Sequence, residues 1–153
     1  MKIFRTSENG HIYSSEIFDT YFGNLRIGFF DIETTGLSPD RSKLILAGIA
    51  CCEGNTVIAK QILAEDTSEE PEVITEVLKE LSNFDMVVTY NGKRFDMPFL
   101  LKRAQKNRIH ISEALPYNLD LYPAVRSFSP LKAMLPDLKQ KTVESFTGLW
   151  ETR

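Results

Sequence analysis

The chain has 153 residues, of which 42% are hydrophobic and 25% charged, as expected for one soluble globular domain. Its formal net charge is −3 at pH 7, so overall charge does not mark it as a nucleic-acid binder. No apolar run reaches the ~20 residues of a membrane helix, so no membrane partner is expected. The only cysteines, Cys51 and Cys52, are adjacent, which argues against a disulfide framework and favours a cytoplasmic protein.

The elements predicted along the chain begin after an irregular start. Residues 1–24 lack clean periodicity and are expected to form an N-terminal extension that packs on a domain spanning residues 25–153. Apolar runs bounded by turn signals predict five strands, at residues 25–33, 44–52, 56–63, 86–91 and 119–121. Apolar residues at helical spacing predict helices near residues 70–81, 95–107, 123–128 and 138–147.

The order of these elements predicts an α/β fold. Short turns join the first three strands, which favours an antiparallel meander. A helix then separates each later strand from the one before it, so we expect the first and fourth strands to be parallel neighbours. The prediction is a mixed five-stranded sheet with helices on both faces.

Two acidic residues end the first predicted strand. Asp31 and Glu33 are two positions apart, so their carboxylates lie on one face while Ile32 points into the core. Their Cα atoms should be about 6.5–7 Å apart, and the two charges repel each other unless a cation lies nearby. Exposed acids at a strand end are common, but the preceding run, Ile27-Gly-Phe-Phe, predicts a buried central strand and makes a functional pair the better interpretation.

A third carboxylate follows the fourth predicted strand. The segment Tyr90-Asn-Gly-Lys-Arg-Phe-Asp96 predicts a turn at Gly92 and places Asp96 at the start of a helix. A helix cap would explain Asp96 by itself. If strands one and four are parallel neighbours, however, Asp96 lies at the same rim as Asp31 and Glu33. Three carboxylates at one rim suit hard cations such as Mg²⁺ or Mn²⁺.

These two segments resemble the first two motifs of the DEDD-type 3′–5′ exonucleases, a group with an RNase H-like fold. Asp31-Ile-Glu-Thr-Thr-Gly-Leu37 resembles the first motif, and Asn91-Gly-Lys-Arg-Phe-Asp96 resembles the second, Asn-x-x-x-Phe-Asp. Similar segments occur in B-family polymerase proofreading domains and in bacterial and archaeal RNase H-like exonucleases. The resemblance extends over roughly residues 26–153.

The resemblance implies hydrolysis of phosphodiester bonds at a 3′ end by two Mg²⁺ or Mn²⁺ ions, which is a two-metal clamp. Asp31 would hold both ions, Glu33 the ion beside the water, and Asp96 the ion beside the leaving oxygen. Single-stranded or 3′-end DNA or RNA would be the partner. Thr34 and Leu37 match positions that hold and wedge the terminal nucleotide in the family, and Asn91 and Phe95 match positions that support the second motif. Lys93 and Arg94, two basic residues in the turn, are expected to contact phosphate of the substrate.

One part of the family pattern is missing. The family's fourth acid lies in a Tyr-x-x-x-Asp or His-x-x-x-x-Asp motif, and neither pattern occurs after Asp96. Asp120 follows Tyr117 at the wrong spacing and is expected to have a supporting role. His11 and His110 have no motif context. We therefore expect a truncated or degenerate member that lacks the helix carrying the third motif. Two functions stay open: a weakly active exonuclease core, or a non-catalytic RNase H-like module that binds nucleic acid or protein. DNA and RNA are not distinguished, and the oligomeric state is not predicted.

Overall fold

The computed structural model describes residues 1–10, 15–111, 115–128 and 130–148. Six strands and six α-helices are found in these residues. The strands are β1 Lys2–Asn9, β2 Ile27–Thr34, β3 Leu44–Glu53, β4 Thr56–Leu63, β5 Met86–Thr89 and β6 Tyr117–Asp120. The helices are α1 Glu16–Phe22, α2 Glu70–Leu81, α3 Asp96–Lys106, α4 Leu121–Phe128, α5 Leu131–Met134 and α6 Gln140–Phe146, and a short 3₁₀ helix, Thr67–Glu69, precedes α2.

All six strands belong to one mixed sheet in the order β1-β4-β3-β2-β5-β6. Strands β2, β3 and β4 form the predicted antiparallel meander. Strand β5 pairs with β2 in parallel, from Ile27 opposite Met86 to Phe29 opposite Val88, and β6 pairs with β5 in parallel. The mixed sheet and the parallel pairing of the first and fourth predicted strands are therefore confirmed.

The predicted number of five strands was wrong, because β1 adds a sixth strand at one edge. β1 pairs with β4 antiparallel along its whole length, from Lys2 opposite Leu63 to Asn9 opposite Thr56. Every residue of β1 is exposed, including Ile3 and Phe4. With neither face buried, β1 has no alternation of apolar and polar residues, and the strand period that revealed the other strands is absent.

The hydrophobic core lies between one face of the sheet and helices α2 and α3. Helix α2 contributes Val73, Ile74, Val77 and Leu81 at helical spacing. The remaining core residues come from the central strands and α3: Phe30, Ile32, Leu44, Ala47, Ile49, Ile62, Val87, Phe99, Leu100 and Ala104. This packing makes β2 a central strand that is buried on the face opposite to Asp31.

The C-terminal helices lie over the other face of the sheet near β5. The hydroxyl of Tyr90 donates a hydrogen bond to the carbonyl of Leu138 at 2.5 Å, and the rings of Tyr90 and Tyr122 meet edge to face with centroids 5.7 Å apart. Helices on both faces are therefore confirmed. None of the helices in the described ranges is long and apolar enough to cross a membrane.

A buried ion pair joins α2 and α3 to the loop that follows β2. Glu70 is fully buried and accepts hydrogen bonds from Arg103 at 2.7 and 2.6 Å and from the backbone N–H of Leu44 at 2.9 Å. Arg103 also donates to the carbonyl of Pro39 at 3.0 Å. The pair thereby fixes the loop between β2 and β3 against both helices.

Candidate metal and nuclease site

Asp31 and Glu33 lie on the exposed face of β2, as the strand period predicts. The burial of β2 alternates: Phe30 and Ile32 are buried, whereas Phe29, Asp31 and Glu33 are exposed. The pairing of β2 with β3 is continuous through Glu33 and shifts only between Glu33 and Thr34. The two acids therefore share one face of a regular strand, and the register shifts directly after them.

Asp96 lies next to this pair because β5 is shorter than β2. β5 ends at Thr89, and the chain then turns before α3 begins at Asp96. Beyond the last paired residue of β5, the N–H of Ile32 has no strand partner on that side. Asp96 Oδ1 accepts this N–H at 3.1 Å, and Asp96 is only 4% exposed. The side chain of Asp96 thus extends the hydrogen bonding of β2 where the neighbouring strand stops.

The carboxyl groups of Asp31 and Asp96 are within hydrogen-bonding reach of each other. Loss of water around Asp96, together with the negative charge of Asp31, raises the pKa of Asp96 to about 6. Loss of water and the charge of Glu33 also raise the pKa of Asp31. The protein therefore packs negative charge into a position where either a proton or a cation relieves the repulsion.

The turn between β5 and α3 differs from the sequence prediction in one residue. The left-handed conformation belongs to Asn91, with φ of 66°, and not to Gly92. Asparagine tolerates this conformation better than most residues. Gly92 is required for another reason: a Cβ added there would lie 2.5 Å from the side chain of Thr89. The predicted turn is therefore present, with Asn91 rather than Gly92 in the left-handed conformation.

Asp120, at the end of β6, holds this turn in place. Its carboxylate accepts hydrogen bonds from the backbone N–H groups of Asn91 at 2.7 Å, Lys93 at 3.1 Å and Tyr122 at 3.0 Å. Asp120 is 8% exposed. With both oxygens occupied by backbone donors, Asp120 positions the segment that carries Asp96, which agrees with the supporting role expected of it.

The other predicted site residues lie in the two chain segments that carry these carboxylates. Thr34 Oγ1 donates to the carbonyl of Gly36 at 2.9 Å, and Leu37 is 85% exposed in the loop after β2. Phe95 packs against the core, with its ring 5.5 Å from that of Phe99. Lys93 and Arg94 are exposed on the turn. Of the two histidines, His110 is exposed, and His11 lies outside the described residues.

A cleft of about 600 Å³ opens beside Asp31 on the exposed face of the sheet. Its floor includes Phe29 and Val88, and helices α4 and α6 provide the opposite side through Val125 and Val143. A mostly apolar cleft with a few polar groups and a carboxyl of raised pKa is the usual form of a ligand site.

The donors suit Mg²⁺ or Mn²⁺, although they do not form a closed set of ligands. Across the described ranges, no three Asp, Glu, His or Cys side chains are grouped so as to hold a metal ion. Asp31 and Asp96 are brought together, and Glu33 acts on Asp31 through its charge. Mg²⁺ is commonly bound by one or two carboxylates together with water and substrate phosphate. A pair of oxygen donors in mutual repulsion fits that chemistry. The role of Glu33 as a ligand stays a prediction.

Comparison with known sequences agrees with this architecture. The family model described as the RNase H superfamily matches residues 28–152. A DNA polymerase of Pyrococcus glycovorans is 37% identical over 91 residues, which are 54% of this chain and 12% of that protein. A DNA polymerase of Methanocaldococcus jannaschii is 31% identical over 91 residues, which are 54% of this chain and 6% of that protein. The chain thus matches only a small part of the length of these relatives.

Solved structures with a similar fold include the family B DNA polymerase of Pyrobaculum calidifontis, with a TM-score of 0.60 and 22% identity over 83% of this chain and 19% of that chain. Exonuclease I of Methylocaldum szegediense has a TM-score of 0.65 and 15% identity over 84% of this chain and 36% of that chain. Exonuclease I of E. coli bound to a dT13 oligonucleotide has a TM-score of 0.62 and 13% identity over 82% of this chain and 36% of that chain. The protein therefore belongs to the RNase H superfamily and has the fold of its exonuclease members.

Proposed function

We propose that the chain is the core of a metal-dependent 3′–5′ exonuclease that hydrolyses phosphodiester bonds of DNA or RNA. The observation that carries this proposal is the contact between the carboxyl groups of Asp31 and Asp96, which belong to different elements and meet beside an open cleft. Two acids held in mutual repulsion cost folding free energy, so their contact favours a role in cation binding.

Asp31, Glu33 and Asp96 would hold two Mg²⁺ or Mn²⁺ ions, and the ions would neutralise phosphate charge and make water a better nucleophile. Asp31 lies between the other two acids, which suits contact with both ions. Asp96 is fixed from two sides, by the N–H of Ile32 and by the turn that Asp120 holds. Such fixed positions lower the cost of aligning the reacting oxygens.

The substrate we propose is a single strand with a free 3′ end. The E. coli exonuclease I structures with this fold contain dT13 and dA16 oligonucleotides, which supports a single-stranded partner. Phe29 and Val88 in the cleft beside Asp31 would offer apolar surface to a base. Leu37, exposed after β2, matches in sequence the position that wedges the terminal nucleotide in the family. Asn91 and Phe95 support the turn, and Thr34 orients the loop that carries Leu37.

The proposal is tested by incubating the chain with a single-stranded oligonucleotide labelled at its 5′ end, in the presence of Mn²⁺ or of EDTA. The assay is run with DNA and with RNA, and shortening of the labelled strand is measured. We expect slow shortening from the 3′ end with Mn²⁺, because no further carboxylate is grouped with Asp31 and Asp96 in the described residues. Asp31→Asn and Glu33→Gln should abolish it. Glu53→Gln, at the far end of β3, removes the same charge away from the site and should leave the rate unchanged. Shortening that persists in Asp31→Asn would refute the proposal.

A second candidate, a non-catalytic module that binds nucleic acid or protein, is favoured by the exposed and ungrouped position of Glu33. This candidate predicts strand binding with no product at any Mn²⁺ concentration. The same assay, combined with a binding measurement on the same strand, separates the two functions.

A further inference from the structure

A second, smaller pocket of about 300 Å³ lies at the ends of β5 and β6. Lys93 and Arg94 come from the turn before α3, and Arg126 comes from α4, so three cationic side chains from two separate segments line one pocket. Tyr122, Pro123 and Asn91 complete the wall. No sequence motif marks Arg126, because its position at the pocket depends on how α4 follows β6.

These three cations have no anionic partners within the described part of the chain. None of them takes part in any of the ion pairs found there. Lys93 makes a cation–π contact, since its Nζ lies 5.3 Å from the centre of the exposed ring of Tyr117. Like charges gathered around a pocket repel one another, so an anion entering the pocket would be stabilised by all three.

Asp120 is the one acid among the lining residues, and its charge is already engaged. Three backbone N–H groups donate to its two oxygens, and its exposure is 8%. It therefore lies on the floor of the pocket, while the three cations are exposed at the rim. The sum of formal charges on the lining residues is positive, in contrast to the net charge of −3 of the whole chain.

The pocket is joined to the carboxylate site by one rigid turn. The N–H of Phe95 donates to the carbonyl of Asn91 at 3.2 Å, and that of Met97 donates to the carbonyl of Gly92 at 3.0 Å. Lys93 is thus three residues before Asp96, in the turn that leads into α3. The turn that lines the pocket therefore leads directly into the residue that meets Asp31.

We propose that Lys93, Arg94 and Arg126 bind a backbone phosphate of the substrate strand, on the 5′ side of the bond that is hydrolysed. This assignment rests on the proposed exonuclease function. Phosphate contacts of this kind fix the register of a strand without reading its sequence. Tyr117, beside Lys93, provides a surface on which a base can stack. The net charge of −3 of the whole chain then does not prevent binding of the substrate strand, because the cations that bind phosphate are gathered at this pocket.

The experiment measures binding of fluorescent dT12 and rU12 to the full chain in EDTA, which prevents metal-dependent hydrolysis. Arg126→Ala should weaken binding about tenfold, as expected for loss of one charge-assisted contact. The slope of log Kd against log salt concentration should fall by about 0.7, the value for one single-strand phosphate. Arg126→Lys should restore part of the loss, and Lys93→Ala should weaken binding in the same way.

Arg5→Ala is the matched control, because Arg5 is an exposed arginine on β1 at the opposite edge of the sheet. It should change the Kd by less than about twofold. Equal effects of Arg126→Ala and Arg5→Ala, or no binding of either strand by the unaltered chain, would overturn the assignment. Inorganic phosphate binding as tightly as dT12 would also overturn it, because the pocket would then hold a free anion. The proposed exonuclease function is judged separately, by the Mn²⁺-dependent shortening assay.

Discussion

Asp96 Oδ1 lies 3.1 Å from the backbone nitrogen of Ile32, the residue between Asp31 and Glu33. This hydrogen bond makes the first residue of α3 a direct partner of the acidic strand β2. It forms because the parallel pairing of β2 with β5 stops at Phe29 and Val88, whereas β2 continues to Thr34, so a side chain bonds to β2 where the neighbouring strand has ended. The relative position of the two acidic motifs is therefore set by a hydrogen bond between the backbone of β2 and the side chain of Asp96.

The raised pKa of Asp96 predicts how the metal-free protein responds to pH. A folded pKa of about 6 is higher than the ~3.9 of an unfolded aspartate, so the associated stability is present at low pH and is lost as pH rises through 6. Asp96→Asn keeps an acceptor for the N–H of Ile32 and removes the charge. At pH 7.5 in EDTA, we expect the variant to be more stable by ~1–3 kcal/mol. Chemical denaturation measures the difference.

The same comparison at pH 4.5 should give a much smaller gap, because Asp96 is then protonated in the folded protein. Asp40→Asn, at a carboxylate that is exposed beside Lys106, is the control and should change stability by less than about 1 kcal/mol. If Asp96→Asn is no more stable than the unaltered chain at pH 7.5, then Asp96 is not held in unrelieved repulsion with Asp31.

Replacement of Asp120 tests whether this acid supports the turn or binds metal. In Asp120→Asn, the amide group faces a backbone N–H donor, and one of the three hydrogen bonds is lost. We expect a loss of about 1–3 kcal/mol in the free energy of unfolding. The Mn²⁺ affinity of the folded variant should stay within about threefold of the original. A loss of affinity equal to that of Asp31→Asn would instead identify Asp120 as a ligand.

Replacement of only one member of the buried pair of Glu70 and Arg103 should lower the free energy of unfolding considerably. Burial favours protonation of Glu70, but hydrogen bonds from Arg103 and Leu44 outweigh it and hold the pKa of Glu70 below its ordinary value. Arg103→Leu leaves Glu70 unpaired and should destabilise the protein by ~3–5 kcal/mol at pH 7. Glu70→Leu combined with Arg103→Leu should regain part of this loss in chemical denaturation.

Lys106→Leu, one turn farther along α3, breaks an exposed pair with Asp40 and should cost less than about 1 kcal/mol. A cost of Arg103→Leu as small as that of Lys106→Leu would contradict the structural role of the buried pair. Because the folded pKa of Glu70 is lowered, its contribution is present above the unfolded pKa of ~4.3 and declines as pH falls.

The central part of the fold follows from local patterns in the sequence. A period of two places Asp31 and Glu33 on one face, and the helix between the meander and β5 implies a parallel crossover. Both features are found in the structure. These patterns succeed where one face of an element is buried, since burial is what imposes periodicity on the sequence.

The remaining features depend on contacts between distant residues or on surfaces without a core. β1 has no buried face, so its sequence shows no alternation of apolar and polar residues that would predict a strand. The contact of Glu70 with Arg103 joins residues 33 positions apart, and that of Ile32 with Asp96 joins residues 64 positions apart. Asn91 is the left-handed residue of the turn, and a Cβ on Gly92 would collide with Thr89, a packing constraint that spacing alone does not reveal.

The central claim is that the carboxylates of Asp31 and Asp96 bind divalent cations. Calorimetric titration of the metal-free chain with Mn²⁺ and with Mg²⁺ tests it most directly, with Asp31→Asn and the remote Glu53→Gln as companions. We expect weak binding by the unaltered chain and by Glu53→Gln, and a loss of at least tenfold in Asp31→Asn, because one of the two contacting carboxylates is removed. Equal binding by Asp31→Asn and the unaltered chain would place the ion elsewhere and contradict the claim.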